Sequence, residues 1–172
     1  MTINLFDIPA ATSAYIDNEV EVEVTRVTAN LEDGEEGTFT VRVTNASEPN
    51  GVRLTDIVLH VTVSPASVAL LKPPGSALLF PRATADTSDP RLSTSDEVEA
   101  MFVFFLASGG DIEPNATLDV GEVLELEFEY VAKGAGNATI NCHVHASVNP
   151  EDLFPRSAGA NGSHGVRVLS GP

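Results

Sequence analysis

Three of the four histidines are spaced so that their imidazoles could share one face of a β-sheet. His143 and His145 are two residues apart, and Asn141 precedes them at the same spacing. Because side chains two apart on a strand point the same way, this trio shares a face, and His60 could lie on the solvent-facing row of a neighbouring strand. Imidazole is a common ligand of transition metals. His143, His145 and His60 are therefore candidate metal ligands, but no carboxylate or cysteine completes a recognised ligand spacing. We expect a polar outer face without a metal.

The single cysteine, Cys142, lies in a row of alternating apolar residues, which indicates a buried side chain. It cannot form an internal disulfide, and the sequence has no cysteine pair of the kind that binds zinc. A copper site is excluded because Cys142 faces the opposite side of its strand from His143 and no methionine follows it. We therefore expect stability to come from packing.

The usual signatures of catalysis are missing from the sequence. There is no Gly-x-Ser-x-Gly elbow, no phosphate-binding glycine loop and no dinucleotide motif, and the Ser163-His164 pair lies in a Gly-rich segment without a third partner. Most carboxylates lie on outer strand faces or in turns, whereas an acid–base pair needs one acid in an apolar pocket. We expect no enzyme, no catalytic residues and no cofactor.

Four Asn-x-Ser/Thr motifs could accept N-linked sugars, which would make the chain a glycoprotein. Their asparagines lie at predicted strand ends or turns: Asn45, Asn115, Asn137 and Asn161. A Thr-rich β composition produces such motifs by chance about as readily. Glycosylation and chance therefore remain two alternatives.

The charge balance is strongly acidic. The 172 residues include 25 acidic and nine basic side chains, a formal charge of −16, and lysine occurs only at positions 72 and 133. Such a surface repels nucleic acid and anionic lipid, and the longest apolar stretch, 100–110, is short of the roughly 20 residues that cross a membrane. The composition is typical of halophilic proteins. At molar salt the Debye length is about 3 Å, so the repulsion among surface carboxylates is screened. An ordinary acidic protein from a high-GC organism is the alternative.

Apolar and polar residues alternate with a period of two along most of the chain, which predicts strands. The segments with this pattern are 20–24, 39–43, about 52–63, 124–130 and 140–148. Residues 98–107 are apolar on both faces, which predicts a central strand covered on both sides. Short strands near 67–71 and 166–168 bring the number to about eight.

No helical pattern separates these strands, which excludes βαβ units and requires antiparallel pairing throughout. Two stacked sheets bury such faces. The predicted fold class is all-β, a two-sheet antiparallel β-sandwich of about eight strands with jelly-roll or immunoglobulin-like Greek key topology. We predict an N-terminal arm at 1–18 and one domain at 19–172, with a long loop at 64–97 and another at 149–165.

Three stretches resemble CARDB-type and related immunoglobulin-like modules of archaeal and bacterial surface proteins. At 31–45, LEDGEEGTFTVRVTN places a Gly-rich acidic turn before a Thr/Val strand that ends in Asn. The others are LDVGEVLELEFEYVAKGAGNATI at 118–140, and NCHVHASVNPEDL with a closing VRVL strand. These modules have about 100 residues, so the segment 64–97 has no counterpart in them, and an eight-stranded jelly roll stays open.

Two functions are compatible with this sequence. The first is a self-assembling structural protein in the virion of a virus that infects a halophilic archaeon. Such a protein could be a capsid, decoration or turret component. It would partner other copies of itself and other structural proteins, and no signal peptide is recognisable. In the predicted arm Ile3, Leu5, Phe6 and Ile8 could dock on a neighbouring subunit. The alternative is an extracellular immunoglobulin-like module that serves adhesion or ligand binding in a cell-surface protein.

Overall fold

The computed structural model describes residues 19–47, 53–74, 77–79, 97–105, 117–148 and 156–171. These ranges contain ten strands. They are β1 (Val20–Thr25), β2 (Leu31–Glu32), β3 (Glu36–Asn45), β4 (Leu54–Ser64), β5 (Ala69–Lys72), β6 (Ala77–Leu79), β7 (Ala100–Phe105), β8 (Val123–Ala132), β9 (Gly136–Val148) and β10 (Arg156–Leu169). Among the residues described, no helix has the length and apolar character needed to cross a membrane.

The strands form two sheets that pack as a sandwich. The four-stranded sheet has the order β1-β3-β8-β5, and the six-stranded sheet has the order β2-β10-β9-β4-β7-β6. The predicted all-β sandwich is confirmed. The strand count exceeds eight because β2 and β6 have only two and three residues, too few to show alternation. The expectation of antiparallel pairing throughout is wrong at one edge, where β2 runs parallel to the end of β10.

The core lies between the sheets and is built by the alternation. In β1 the three valines are buried while Glu21 and Glu23 are exposed, and β9 buries every second residue along its length. Each large apolar side chain that is buried contributes about 1.5–3 kcal/mol. Cys142 belongs to this core at 1% exposure, and burial raises its pKa to about 12. The thiol is therefore protonated and unreactive at neutral pH.

Strand β7 differs from its prediction as a central strand covered on both faces. It lies between β4 and β6, next to the edge of the six-stranded sheet. Its inward residues Met101, Val103 and Phe105 are buried, but Phe102 is only partly buried on the outer side. On that side the Phe102 ring stacks on His60 of β4.

Strand β10 is the largest departure from the predictions. Residues 149–165 are rich in Gly, Ser and Asn and predict a loop, yet β10 begins at 156 and pairs with β9 from Arg156 opposite Val148 to Val168 opposite Gly136. The ladder of hydrogen bonds to the long, strongly alternating β9 outweighs the weak strand propensity of β10 itself. The predicted loop at 64–97 carries β5 and β6.

Asn45 ends β3 and is buried at 1% exposure. Its Nδ2 donates a hydrogen bond to the carbonyl oxygen of Leu118 at 2.9 Å. Its Oδ1 accepts bonds from the Ser47 backbone N–H at 3.2 Å and from the Ser47 hydroxyl at 2.6 Å. One amide thus joins the end of β3 to the segment that leads into β8.

Replacing Asn45 by alanine is expected to destabilise the protein by about 2–3 kcal/mol, because three hydrogen bonds of about 1 kcal/mol each are lost. Chemical denaturation followed by circular dichroism would measure the change. Asn137→Ala is the matched control, since Asn137 is exposed on β9, and we expect a change within about 0.5 kcal/mol. Equal midpoints for the two variants would contradict the structural role of Asn45.

Candidate functional site

The outer faces of the two sheets differ sharply in charge. On the four-stranded sheet, exposed carboxylates project from β1 and β8: Glu21, Glu23, Glu125, Glu127 and Glu129. Arg42 lies 3.9 Å from Glu125, and Lys72 lies 3.7 Å from Glu129. Such exposed ion pairs add little stability. This face is an acidic, solvated surface.

The outer face of the six-stranded sheet carries imidazole, amide and hydroxyl groups near the middle of β9, and the exposed Arg167 of β10 lies farther along the same face, opposite Asn137. His60 of β4 is opposite His143 of β9, which in turn is opposite Asn161 of β10. One step along the strands, Asn141 lies between Thr62 and Ser163 by the same pairing. The two rows line a concavity of about 380 Å³ that is open to solvent, which we call the polar concavity. Its lining residues are His60, Thr62, Asn141, His143, Asn161, Gly162 and Ser163.

His60 forms one side of the polar concavity. Its ring stacks on Phe102 of β7, with ring centroids 4.4 Å apart and planes 13° from parallel. Burial, and secondarily the charge of His143, lowers the pKa of His60 below its ordinary value of 6.5. At neutral pH this imidazole is therefore uncharged.

His143 leans in the opposite direction, over β10. Its Nδ1–H donates to Asn161 Oδ1 at 2.7 Å. The far side of the ring lies beside Gly159, where a Cβ would come within 3.7 Å of His143 Nε2. The rings of His60 and His143 are directed to β7 and β10 respectively, although their backbones are neighbours. Both residues line the polar concavity.

The predicted metal ligands do not converge. His60 and His143 are cross-strand neighbours, but His145 lies opposite Val58 and Gly159 and does not line the polar concavity. In the described ranges no three or more His, Cys, Asp or Glu side chains are placed to hold a metal ion. The two neighbouring rings contact different groups, since His60 stacks on Phe102 and His143 bonds to Asn161.

Ser163 and His143 line the same concavity. A hydroxyl and an imidazole can act together as a nucleophile and its general base if they are hydrogen-bonded. His143 Nε2 lies toward Gly159, and Ser163 lies on the other side of Asn161 along β10. A base must be within hydrogen-bond reach of its nucleophile. The orientation of the His143 ring does not provide that arrangement.

The period of two predicts the histidines on one outer face but does not predict the contributions of β10 and β7 to it. The sequence pattern predicts a loop or turn at Asn161 and Ser163 and a covered strand face at Phe102. The sequence contains a weak signal for this strand, since the small residues Ser157, Gly159, Asn161 and Ser163, three of them polar, recur at every second position. Ala158 and Ala160 alternate with them, which fits a strand against β9.

The predicted glycosylation sites fall in different environments. Asn45 is buried and its Nδ2, the atom that would carry a sugar, is bonded to Leu118. This geometry disfavours a glycan at Asn45. Asn137 and Asn161 have exposed side chains on the outer face of the six-stranded sheet, so each remains a predicted acceptor. Asn115 and the predicted arm with Ile3, Leu5, Phe6 and Ile8 lie outside the described residues.

Acidification is expected to destabilise the protein through His60. Its folded-state pKa is lower than the ordinary 6.5, so between these two values the unfolded chain binds more protons. Stability contributed by His60 is therefore present above pH 6.5 and is lost as the pH falls toward the folded pKa. Denaturation midpoints at about pH 7.5 and 5.5 should fall less for His60→Gln than for the unmodified protein. Identical pH responses would contradict this.

The sequence matches no protein-family model and no curated protein. Among solved structures, the CARDB domain of a Pyrococcus furiosus protein, crystallised with di-metal ions, is 13% identical, with 87% of each chain covered and a TM-score of 0.42. Its solution structure is 12% identical, with 88% of this chain and 94% of that one covered and a TM-score of 0.45.

A cohesin module from a Clostridium perfringens family 33 glycoside hydrolase is also similar. It is 11% identical, with 90% of this chain and 99% of that one covered, and the TM-score is 0.49. These likenesses concern the fold, which the two sheets themselves establish. The resemblance to CARDB-type β-sandwich modules is confirmed at this level.

Proposed function

We propose that this chain is a non-catalytic, immunoglobulin-like module of the cell exterior, which binds a ligand through the outer face of its six-stranded sheet. The observation that carries the proposal is the polar concavity. Its seven lining residues contain no carboxylate, ammonium or guanidinium group, in a chain whose formal charge is −16. A recessed, uncharged and hydrogen-bonding surface on such a protein is suited to recognition.

The position of the polar concavity supports binding. Its side chains project from the three adjacent strands β4, β9 and β10, whose hydrogen-bonded ladders hold them in place. Groups on strands are positioned more precisely than groups on loops. The carboxylates on the opposite sheet repel other acidic surfaces and so limit non-specific association.

The absence of catalysis belongs to the same proposal. The lining residues include two hydroxyls, Thr62 and Ser163, and two imidazoles, His60 and His143. The His143 ring bonds to Asn161 and the His60 ring stacks on Phe102, and neither imidazole has a hydrogen bond to a lining hydroxyl among the contacts described. The virion hypothesis depends on the arm at 1–18, outside the described residues, and remains a sequence-based prediction. The described surface favours the binding module.

The test is solid-phase binding of the full chain to immobilised neutral polysaccharides, acidic polysaccharides and extracellular matrix proteins. The informative variant is Thr62→Arg, which places a long cation in the polar concavity. Thr44→Arg is the matched control, because Thr44 is also a partly buried threonine that points outward from a strand. Thr44 lies on the four-stranded sheet, between Glu21 and Val123 of the neighbouring strands.

We expect at least one material to be bound, and Thr62→Arg to weaken that binding about tenfold or more, equivalent to about 1.4 kcal/mol. Thr44→Arg should change it by less than about twofold. Circular dichroism would show that both variants are folded. The proposal is overturned if no material binds, or if Thr44→Arg rather than Thr62→Arg abolishes binding.

A further inference from the structure

The hydrogen-bonding groups of the polar concavity have a common property, since nearly all can both donate and accept. Asn141 and Asn161 supply amides, and Thr62 and Ser163 supply hydroxyls. The bond from His143 Nδ1 to Asn161 Oδ1 determines which end of the Asn161 amide is held by the protein. Ligand hydroxyls, which also donate and accept, are the natural complement of such a lining.

One side of the polar concavity is a flat ring. His60 lines it, and Phe102 supports His60 from the other side at 4.4 Å. A flat, uncharged ring packs well against the C–H face of a cyclic ligand, while neighbouring amides bond to groups at the ligand's rim. The stacking with Phe102 holds the His60 ring in place, which makes Phe102 a positioning residue.

The charge distribution argues for an uncharged ligand. A charged ligand would meet no opposite charge among the residues that line the polar concavity. A cationic ligand would be attracted instead to the carboxylates on the four-stranded sheet, and an anionic one would be repelled by the chain as a whole.

The place of the polar concavity in the sheet argues against a peptide. Extended peptides commonly bind by adding a strand at a sheet edge, where backbone groups are unpaired. The polar concavity is centred on β9, which is paired with β4 on one side and β10 on the other. Only side chains are available to a ligand there.

From these observations we infer that the polar concavity binds a neutral saccharide, with its ring against His60 and its hydroxyls bonded to Asn141, Asn161, Thr62 and Ser163. The volume of about 380 Å³ is within the usual range of small-molecule sites, about 300–1,000 Å³. The inference rests on the proposed function and names its ligand class.

Calorimetric titration of the full chain with neutral gluco-, manno- and galacto-oligosaccharides tests the inference. Asn141→Ala removes an amide from the polar concavity. Asn137→Ala is a closely matched control, because Asn137 is on the same strand, points to the same face and is exposed, but does not line the polar concavity. Ser163→Ala provides a second change inside the polar concavity.

We expect at least one oligosaccharide to bind, with the dissociation constant raised about tenfold by Asn141→Ala and by less than about twofold by Asn137→Ala. Phe102→Leu should also move the pH midpoint of binding upward, because loss of the stacked ring exposes His60; a residue that is merely structural would not shift that profile.

The inference is wrong if none of the oligosaccharides binds, or if Asn137→Ala weakens binding as much as Asn141→Ala. Its failure can be told apart from failure of the proposed function. Suppose that a protein or acidic polysaccharide binds, that Thr62→Arg weakens this binding, and that neutral saccharides do not displace the bound material. The proposed function then holds, and the inference of a neutral saccharide ligand is wrong. If nothing binds in either experiment, both are overturned.

Discussion

Gly162→Ala is expected to destabilise the sandwich by about 1–3 kcal/mol or more, although it adds a single methyl group. A Cβ at Gly162 would lie 2.7 Å from the carbonyl oxygen of Val22 and 3.4 Å from the Cα of Glu23. Both are backbone atoms of β1, so no side-chain rotation relieves the clash. The two sheets would have to separate where β1 packs on β10.

Gly165→Ala is the control for this prediction. Gly165 lies in the same strand, and a Cβ there would meet no atom within 4 Å. We expect it to be neutral or slightly stabilising, because alanine restricts the unfolded chain. Urea denaturation of both variants, followed by circular dichroism, measures the difference. If the two alanine variants unfold at the same urea concentration, the close approach of β1 to β10 is not a constraint.

Because Gly162 also lines the polar concavity, its replacement has a consequence for binding. Separation of β1 from β10 would displace the backbone between Asn161 and Ser163. We therefore expect any ligand affinity that depends on these two residues to fall in Gly162→Ala and to be unchanged in Gly165→Ala.

Phe39→Ala is expected to cost about 3–5 kcal/mol, a large share of the roughly 5–15 kcal/mol that stabilises a typical domain. Phe39 has 0% exposure. Its ring centroid lies 5.5 Å from that of Phe128 and 6.2 Å from that of Tyr130. Removing the ring loses its burial and leaves a cavity between the other two aromatic side chains.

The surroundings of Phe39 have little capacity to collapse into that cavity. The Tyr130 hydroxyl donates a hydrogen bond to the carbonyl oxygen of Thr28, and burial raises its pKa to about 12. The ring also lies against Gly37, where a Cβ would come within 2.8 Å of it. Tyr130 is thus held at both its ring and its hydroxyl, so the cavity should persist.

Val123→Ala is the control, because Val123 lies on a strand but is 39% exposed. We expect a change within about 0.5 kcal/mol. Guanidinium denaturation followed by circular dichroism compares the two variants. A Phe39→Ala protein that unfolds at the same midpoint as Val123→Ala would show that this aromatic cluster is not a major source of stability.

Local alternation was sufficient to predict most strands. The valine and glutamate pattern of β1, the threonine and valine pattern of β3 and the Cys142 row of β9 all appear as predicted. In each, one face is apolar and the other polar, so burial requires the period of two. Strand β10 has only a weak contrast of this kind on its glycine-rich half, and its extended form depends on pairing with β9.

The sequence alone determined an all-β sandwich with an acidic surface, a buried cysteine and histidines on an outer face, because these properties follow from composition and from a period that each strand carries within itself. Only the tertiary structure places His60 opposite His143, stacks the His60 ring on Phe102 and bonds the His143 ring to Asn161. It also brings the lining of the polar concavity together. Those contacts join residues far apart in the chain, and strand order and register, which no local pattern encodes, bring them together.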